Sequence, residues 1–294
     1  MRNVKAKRPY PLFFFALTLL PVLYAYIVGF GPFLLMVYYS LFHFSMGHNP
    51  IFIGILNYQY LLTDRDLLNS IILTFSYMVI VTTCELVIGL VIGYCLYKVR
   101  WGKSVFTLLI LLPMIFTPAV TGVVWRILLD PSYGHINFYL GLLGVKPIEW
   151  LTKPLTALIS MIGVDIWQWS SFVVLIVFSG LSAIPNDPIE AAIVDGATGF
   201  QLFREILLPY IKPLVYIVIF FRMIDSFKVF DIPYVMTRGG PGLSTSFVSI
   251  FAYNTVFVFR DIGYGCTIGV VIFLIAYLFT TVLMRRIGSI IWGE

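Results

Sequence analysis

The sequence predicts an all-α, polytopic membrane protein with six transmembrane helices in a single domain, residues 1–294. Hydrophobic residues make up 60% of the chain and charged residues only 11%, and the mean hydropathy is +0.96. This composition lies outside the range of soluble globular proteins. Most charged residues lie between six apolar runs, each near the ~20 residues that cross ~30 Å of hydrocarbon.

The six runs follow one another along the whole chain. Pro21, Gly29, Gly31 and Pro32 predict that the first run is kinked or that its last part leaves the membrane, and Pro113 and Pro118 predict kinks in the third run. The segments between the runs are polar or rich in turn residues. The predicted spans are about 12–41, 69–96, 104–129, 155–181, 214–236 and 263–284.

The distribution of basic residues predicts the orientation. With a cytoplasmic N-terminus, eleven Lys and Arg residues lie inside and five outside, which is a clear positive-inside bias. We therefore expect a multi-pass protein of the cytoplasmic membrane with both termini in the cytoplasm. The inner residues are Arg2, Lys5, Lys7, Arg8, Lys98, Arg100, Lys103, Arg204, Lys212, Arg285 and Arg286, and the outer ones are Arg65, Lys146, Lys153, Arg238 and Arg260.

The loop 182–213, on the predicted cytoplasmic side, begins with a short helix. Asp187 can cap the first turn, Pro188 suits the first helical position, and Glu190 can reach back to the N–H of Asp187. Gly196 then ends this helix, because glycine adopts the left-handed cap at no steric cost.

A second short helix follows in the same loop. Thr198 and Gln201 form a capping box at its start, and we expect the helix to end before Pro209. We call this helix–Gly–helix segment, residues 182–213, the elbow. On physical grounds alone it could also be an interfacial helix pair resting on lipid headgroups. Its apolar residues share one face in each helix: Ile189, Ala192 and Ile193, then Phe200, Phe203 and Leu207.

The elbow resembles the EAA loop of the membrane subunits of binding-protein-dependent ABC importers. It has Glu-Ala-Ala at 190–192, Gly196 after three residues, and Ile-x-Leu-Pro at 206–209 after nine more. In that family the loop is a coupling helix that docks into a groove of the cytosolic ATPase, and the fold is that of a type I ABC importer. The resemblance implies an ATPase-coupling set of Asp187, Glu190, Ala191, Ala192, Asp195, Gly196, Phe203, Ile206, Leu208 and Pro209.

Charged residues inside the fifth span need partners or water, because a charge at bilayer depth costs a few kcal/mol. Arg222, Asp225, Lys228 and Asp231 follow one another in steps of three with alternating sign, so helical neighbours can neutralise each other. Partners can also come from other spans, at Glu85, Arg126 and Asp165. The alternative is that these charges line a solute path.

Aromatic residues favour a solute path for sugars, whose apolar C–H faces stack on aromatic rings while amides and carboxylates bind the hydroxyls. Trp and Tyr also concentrate at membrane interfaces, so both interpretations stay open. The candidate solute-path residues are Trp167, Gln168, Trp169, Asp225, Ser226, Phe227, Phe230 and Tyr234.

A second resemblance covers about residue 50 to the end. The segment 227–245, which contains Phe-Lys-Val-Phe-Asp-Ile-Pro-Tyr and Gly-Gly-Pro-Gly, is similar to one permease of carbohydrate importers, of the maltose F-type and glycerol-phosphate A-type. Leu56-Asn57-Tyr58 and the turn 130–134 are similar to outer loops of that family. The chain lacks the large periplasmic insertion of the maltose permease, so solute-binding residues do not carry over.

These resemblances imply an ATP-driven importer for a sugar, an oligosaccharide or a related polyol phosphate. The implied partners are a second permease in a heterodimer, two ATPase subunits, an extracytoplasmic solute-binding protein and the lipid membrane. This subunit would be non-catalytic and bind no cofactor, because ATP and Mg belong to the ATPase.

Other function classes fit the residues less well. A secondary transporter or channel with six spans is the alternative, but it predicts no elbow of this sequence and usually has discontinuous spans in repeated halves. His43 and His48 lack a third metal ligand, and no cluster of nucleophiles or metal ligands predicts an enzyme or a metal site. The net charge of +5 lies mostly at the ends of spans and does not indicate nucleic acid.

Overall fold

A computed structural model describes residues 11–292, which are mainly α-helical. The helices are α1 Pro11–Tyr39, α2 Leu56–Thr63, α3 Arg65–Lys98, α4 Lys103–Ile115, α5 Pro118–Leu128, α6 His135–Leu142, α7 Pro154–Ser182, α8 Asn186–Val194, α9 Gly199–Gln201, α10 Leu208–Phe227, α11 Asp231–Thr237, α12 Val248–Tyr253 and α13 Ile262–Trp292. Two π-helical turns, Leu202–Leu207 and Asn254–Val258, and two strands, β1 Phe42–His43 and β2 Ile51–Phe52, complete the elements.

The predicted all-α membrane fold is confirmed. Among residues 11–292, five helical segments are long and apolar enough to cross a membrane, or six if α4 and α5 together form one bent span. These two helices meet at an angle of 96°. The break lies at Phe116 and Thr117, because a residue before proline, here Pro118, is pushed out of the helical conformation. Pro113 stays inside α4.

Two predicted spans differ in detail from the structure. In the first, α1 runs as one helix through Pro21 and Pro32. The predicted fifth span, 214–236, lies within the apolar segment Gly199–Thr237, but its helix is not continuous. Helix α10 ends at Phe227 and α11 begins only at Asp231.

One compact unit contains residues up to 63 and residues 253–273. Strands β1 and β2 pair antiparallel in it. The side chain of Asn57, on α2, donates at 2.9 Å to the carbonyls of Ser40 and Phe42. Gly269, on α13, lies so close to Met36 of α1 that a Cβ would come within 2.5 Å of the sulfur, so the two helices pack tightly.

The other unit contains residues 64–252 and those from 274 onward. Helices α3 and α7 pack closely, because Gly89 and Gly93 face Val173 and Val177 in a G-x-x-x-G arrangement that brings two backbones together. Its buried side chains form two apolar clusters. The first includes Tyr77, Val81, Leu129, Met161, Val164 and Phe247, and the second Val173, Val177, Leu181, Leu202, Leu207, Ile211 and Val218. Asp165 and Gln168 lie between these clusters along α7.

Candidate functional site

A charged cluster shared by three helices lies between the two apolar clusters of this unit. Arg222, on α10, is buried and contacts Glu85 of α3 and Asp165 of α7. Its Nε and Nη2 donate to the two oxygens of Glu85 at 2.6 and 2.7 Å, the bidentate geometry that pairs arginine most strongly with a carboxylate. Nη2 also donates to Asp165 at 3.2 Å. The pairing of the fifth-span charges with Glu85 and Asp165 is therefore present.

The charge ladder of the fifth span forms over three of its four residues. Arg222 Nη1 lies 3.2 Å from one oxygen of Asp225, and Lys228 Nζ lies 3.3 Å from the other. Asp231 is exposed and lies beyond the end of α10, so the spacing of three no longer makes it a helical neighbour of Lys228. Arg126 donates instead to the carbonyl of Val235 at 3.1 Å.

Aromatic rings border the charged cluster. The ring of Trp169 lies 4.9 Å from the guanidinium carbon of Arg222, within the range of a cation–π contact. Phe230 stacks on Tyr234 with ring centroids 4.9 Å apart and an angle of 15° between the planes. A flat apolar platform therefore lies close to a dense set of hydrogen-bonding groups.

A cleft of about 410 Å³ is bordered by this cluster and by the rings of Trp169 and Phe230. Four of the eight predicted solute-path residues line it: Trp169, Asp225, Ser226 and Phe230. Its charged lining is completed by Asp165, Arg222, Lys228 and Asp231. The break between α10 and α11 supplies Val229 and Phe230 to the wall.

The other four predicted residues do not line this cleft. Trp167 is exposed and stacks edge-on against Trp125 at 5.4 Å. Phe227 is buried and contacts the ring of Phe75, and Tyr234 stacks on Phe230 without lining the cleft. The remaining one is Gln168. Consecutive residues of a helix point in different directions, so Trp167, Gln168 and Trp169 cannot all face one solute path.

Gln168 instead supports the bend between α4 and α5. Its Nε2 donates at 2.8 Å to the carbonyl of Phe116, which the break in the helix leaves without an intrahelical partner. Ser171, one turn further along α7, donates at 2.7 Å to the carbonyl of Ile110. These two bonds from α7 stabilise the 96° bend.

Lys228 and Asp231 were predicted only as ladder residues, and their place in the lining of the cleft was not predicted. Pro233 was the available signal. A proline is compatible with the first turn of a helix but not with the interior of a continuous one. Pro233, in the first turn of α11, therefore indicated a helix start near Asp231 and a break before it.

In the elbow, Gly196 ends α8 as predicted, with φ at +84°. The N–H of Gly196 bonds to the carbonyl of Ile193 at 3.0 Å, and the N–H of Ala197 to that of Ala192 at 2.9 Å. This pair of bonds is a Schellman motif. The predicted start of α8 is wrong: the helix begins at Asn186, so Asp187 lies inside its first turn and does not cap it.

The capping box of the second helix is present. The side-chain oxygen of Gln201 accepts from the N–H of Thr198 at 2.9 Å and from its hydroxyl at 2.8 Å. The predicted end before Pro209 is wrong, because the chain continues as a π-helical turn into α10. In that turn the N–H of Leu208 bonds to the carbonyl of Phe203. The wider turn accommodates a proline that has no N–H to donate.

Only some of the apolar side chains of the two elbow helices pack on the second apolar cluster. Leu202 and Leu207 are buried, and the ring of Phe203 packs on that of Tyr94 of α3 with the ring centroids 4.8 Å apart. Ile193 and Phe200, which were predicted to share these apolar faces, are 57% and 72% exposed. Of the remaining coupling residues, Ala192, Ile206 and Leu208 are half-buried, while Asp187, Glu190, Ala191, Asp195 and Pro209 are exposed.

Comparisons with known proteins agree with this architecture. The model of the family described as "Binding-protein-dependent transport system inner membrane component" matches residues 85–291. The trehalose/maltose transport system permease protein MalF of Thermococcus litoralis is 34% identical over 234 residues, covering 80% of this chain and 79% of that protein. The sulfoquinovosyl glycerol transport system permease protein SmoG of Agrobacterium fabrum is 32% identical over 259 residues, covering 86% and 83%.

A solved structure shows the same fold. It is a chain of a bacterial ABC transporter involved in the import of the acidic polysaccharide alginate, and it superposes with a TM-score of 0.83. The match covers 94% of this chain and 95% of that one, at 17% sequence identity. At that identity the likeness concerns the fold alone.

Proposed function

The chain belongs to the family of binding-protein-dependent transport system inner membrane components, among the permeases of sugar ABC transporters, and we propose that it forms one half of a sugar-conducting pore. Of the cargoes predicted from the sequence, which were a sugar, an oligosaccharide or a related polyol phosphate, the sugar or oligosaccharide is the proposed one. A second permease supplies the other half, and an extracytoplasmic binding protein delivers the solute. Two cytosolic ATPase subunits bind ATP and Mg, and this chain binds no cofactor.

The observation that carries the proposal is the cleft at the break of the fifth span. It combines Trp169 and Phe230 with the hydroxyl of Ser226 and the carboxylate of Asp225. Sugar rings need this pairing, because their C–H faces stack on aromatic rings and their hydroxyls need acceptors and donors. A volume of about 410 Å³ lies within the usual range for small-molecule sites.

The elbow is the part that docks on the ATPase. Its exposed apolar side chains include Ile193 at 57%, Val194 at 85% and Phe200 at 72%. Exposed apolar residues beside the acidic Asp187 and Glu190 suit a protein groove with basic residues at its rim. The coupling set predicted from the sequence, 187–209, lies on or next to this surface.

The orientation of the chain has its own test. A reporter that is active only in the cytosol should be active when fused after Arg100, Ile211 or Arg286. It should be silent when fused after Asp64, Lys146 or Ser244, because these segments carry few of the basic residues. Activity after Lys146 with silence after Ile211 would reverse both the orientation and the assignment of the elbow.

The transport function is tested in proteoliposomes that contain this chain, its partner permease, the ATPase and the binding protein. We expect ATP-dependent uptake of labelled trehalose or maltose and no uptake of labelled methionine. Phe230→Ala should weaken apparent affinity for the sugar by roughly two- to tenfold, because one aromatic stacking contact contributes ~0.5–1.5 kcal/mol.

Phe138→Ala is the matched control, because Phe138 is 62% exposed on α6 and does not line the cleft. Its apparent affinity should equal that of the unaltered protein. Equal affinities for Phe230→Ala and Phe138→Ala would show that the sugar does not pass through this cleft.

A further inference from the structure

We propose that the cleft admits uncharged sugars and rejects acidic ones. The inference rests on the proposed function, and it specifies the charge of the solute. Its basis is the balance of charges in the lining, where Asp165, Asp225 and Asp231 face Arg222 and Lys228. Glu85, which contacts Arg222, adds a fourth carboxylate against the same two cations.

Arg222 has little capacity left to bind an anion. Each nitrogen of its guanidinium already donates: Nε and Nη2 to Glu85, Nη1 to Asp225, and Nη2 also to Asp165 and to Ser226. The ring of Trp169 lies over the guanidinium at 4.9 Å. A sugar carboxylate, sulfonate or phosphate would have to displace one of these partners to contact Arg222.

Lys228 is also paired, although it is more accessible. Its ammonium lies 3.3 Å from Asp225, and its side chain is 68% exposed. Asp231 lines the same cleft and is exposed, so it adds negative charge near the aromatic platform. An anion that reaches Phe230 therefore meets a carboxylate surplus.

Electrostatics then distinguishes between solutes. A neutral sugar exchanges hydrogen bonds with water for hydrogen bonds with Asp225 and Ser226. An acidic sugar also loses the hydration of its charge and finds no surplus cation to replace it. Four carboxylates face two cations, and three still do when one buried carboxylate carries a proton. In both of these states the lining opposes anions.

The test is direct binding to the purified complex of this chain with its partner permease and ATPase subunits, without the binding protein. Saturation-transfer NMR titrations compare trehalose with the acid made by oxidising one of its primary alcohols to a carboxylate. Maltose and its corresponding acid form a second pair. We expect each neutral sugar to bind at least about tenfold more tightly than its acid, since like charges are left without compensation.

Asp231→Asn and Asp231→Lys attribute the effect to this cleft. Asp231 is exposed, so both variants should fold. The ratio of the affinity for the neutral sugar to that for its acid should fall roughly two- to fivefold in Asp231→Asn, because one exposed charge is removed. It should fall further in Asp231→Lys, where the charge is reversed. Glu149→Gln is the matched control, because it removes a carboxylate on the loop before α7, outside the cleft.

The outcomes are distinct. Equal or tighter binding of the acids by the unaltered complex overturns the charge selection and leaves the sugar site standing. An unchanged preference in both Asp231 variants also overturns it, because the cleft then does not set the selection. Binding of neither the sugars nor their acids removes the proposed sugar site, and the inference with it.

Discussion

The elbow and the charged cluster are both polar, but contacts of very different range hold them. In the elbow the backbone bonds that shape the two helices join residues three to five positions apart, as from Ala197 to Ala192. One longer-range bond, from the hydroxyl of Tyr94 to the carbonyl of Gly199, joins the elbow to α3. In the cluster Arg222 bonds to Glu85 across 137 positions and to Asp165 across 57. Local bonds can change without unfolding the protein, whereas the cluster joins three helices and cannot be altered in isolation.

The largest expected effect tests the cluster. Arg222→Gln leaves Glu85, Asp165 and Asp225 without their shared cation inside the protein. Removing one partner of a buried ion pair costs ~3–5 kcal/mol, so little folded protein should reach the membrane. The measurement is folded abundance by size-exclusion chromatography of a fluorescent fusion. Lys228→Gln is the control, because its 68% exposed side chain should contribute ~0–1 kcal/mol.

A smaller effect is expected at the rim of the cluster. Asp225 bonds to both Arg222 and Lys228, but its side chain is 40% exposed and water can replace part of these contacts. Asp225→Asn should therefore lower stability by roughly 1–2 kcal/mol, below the range for fully buried charged hydrogen bonds. Abundance and transport affinity are measured on one preparation. A loss of affinity at unchanged abundance would show that Asp225 acts on the solute and not on the fold.

In the elbow we expect a modest change in stability with a larger change in function. Gly196 has φ at +84° with open space around it, so Gly196→Val introduces only backbone strain, ~1 kcal/mol or more. Abundance should stay near that of the unaltered protein, while retention of the ATPase and sugar uptake fall. Both are measured side by side in reconstituted membranes.

Gly144 offers a matched control for this prediction. It also has a positive φ, +79°, and open space around it, but it lies after α6, far along the chain from the elbow. Gly144→Val should produce the same strain and leave uptake intact. If both variants lose uptake equally, backbone strain at either glycine is sufficient to impair uptake, and the elbow has no special role in coupling to the ATPase.

The smallest expected effect concerns the dipole of α8. Asp187 lies in the first turn, where a carboxylate stabilises the helix by ~0.3–1 kcal/mol, so Asp187→Asn should lower amide protection along α8. Asp195 caps the opposite end, where a negative charge is unfavourable. Asp195→Asn should raise protection slightly. Hydrogen exchange of the α8 amides measures both, and shifts of the same sign would contradict the explanation.

The comparison also explains what the sequence predicted and what it did not. Gly196 and the Thr198–Gln201 capping box follow from neighbouring residues, and the structure confirms both. The start of α8 was misplaced by two residues, because the helix is preceded by Pro185, which has no side-chain acceptor to mark a cap, and Asn186 and Asp187 both lie in its first turn. The end before Pro209 was wrong because a π-helical turn, which no local pattern announces, carries the helix through the proline.

The cluster shows the limit of prediction from one sequence. Alternating charges in the fifth span predicted pairing, and Glu85 and Asp165 were identified as possible partners. The sequence could not show that both carboxylates meet on one guanidinium, because that depends on how α3 and α7 pack. Nor did hydropathy reveal the break at 228–230, since the apolar composition continues across it to Thr237.

The proline inside α10 has a mechanical consequence. Proline weakens the helix where its N–H is missing, so Pro213 is the point at which α10 bends most easily. Arg222 lies nine residues beyond Pro213, which is roughly 13 Å along the helix axis. A tilt of about 5° at Pro213 therefore displaces this part of the helix by roughly 1 Å. When this displacement is directed away from α7, the 3.2 Å contact of Arg222 with Asp165 lengthens beyond hydrogen-bonding distance. A tilt that begins at the elbow end of α10 would thus break the bond between Arg222 and Asp165 in the lining of the cleft.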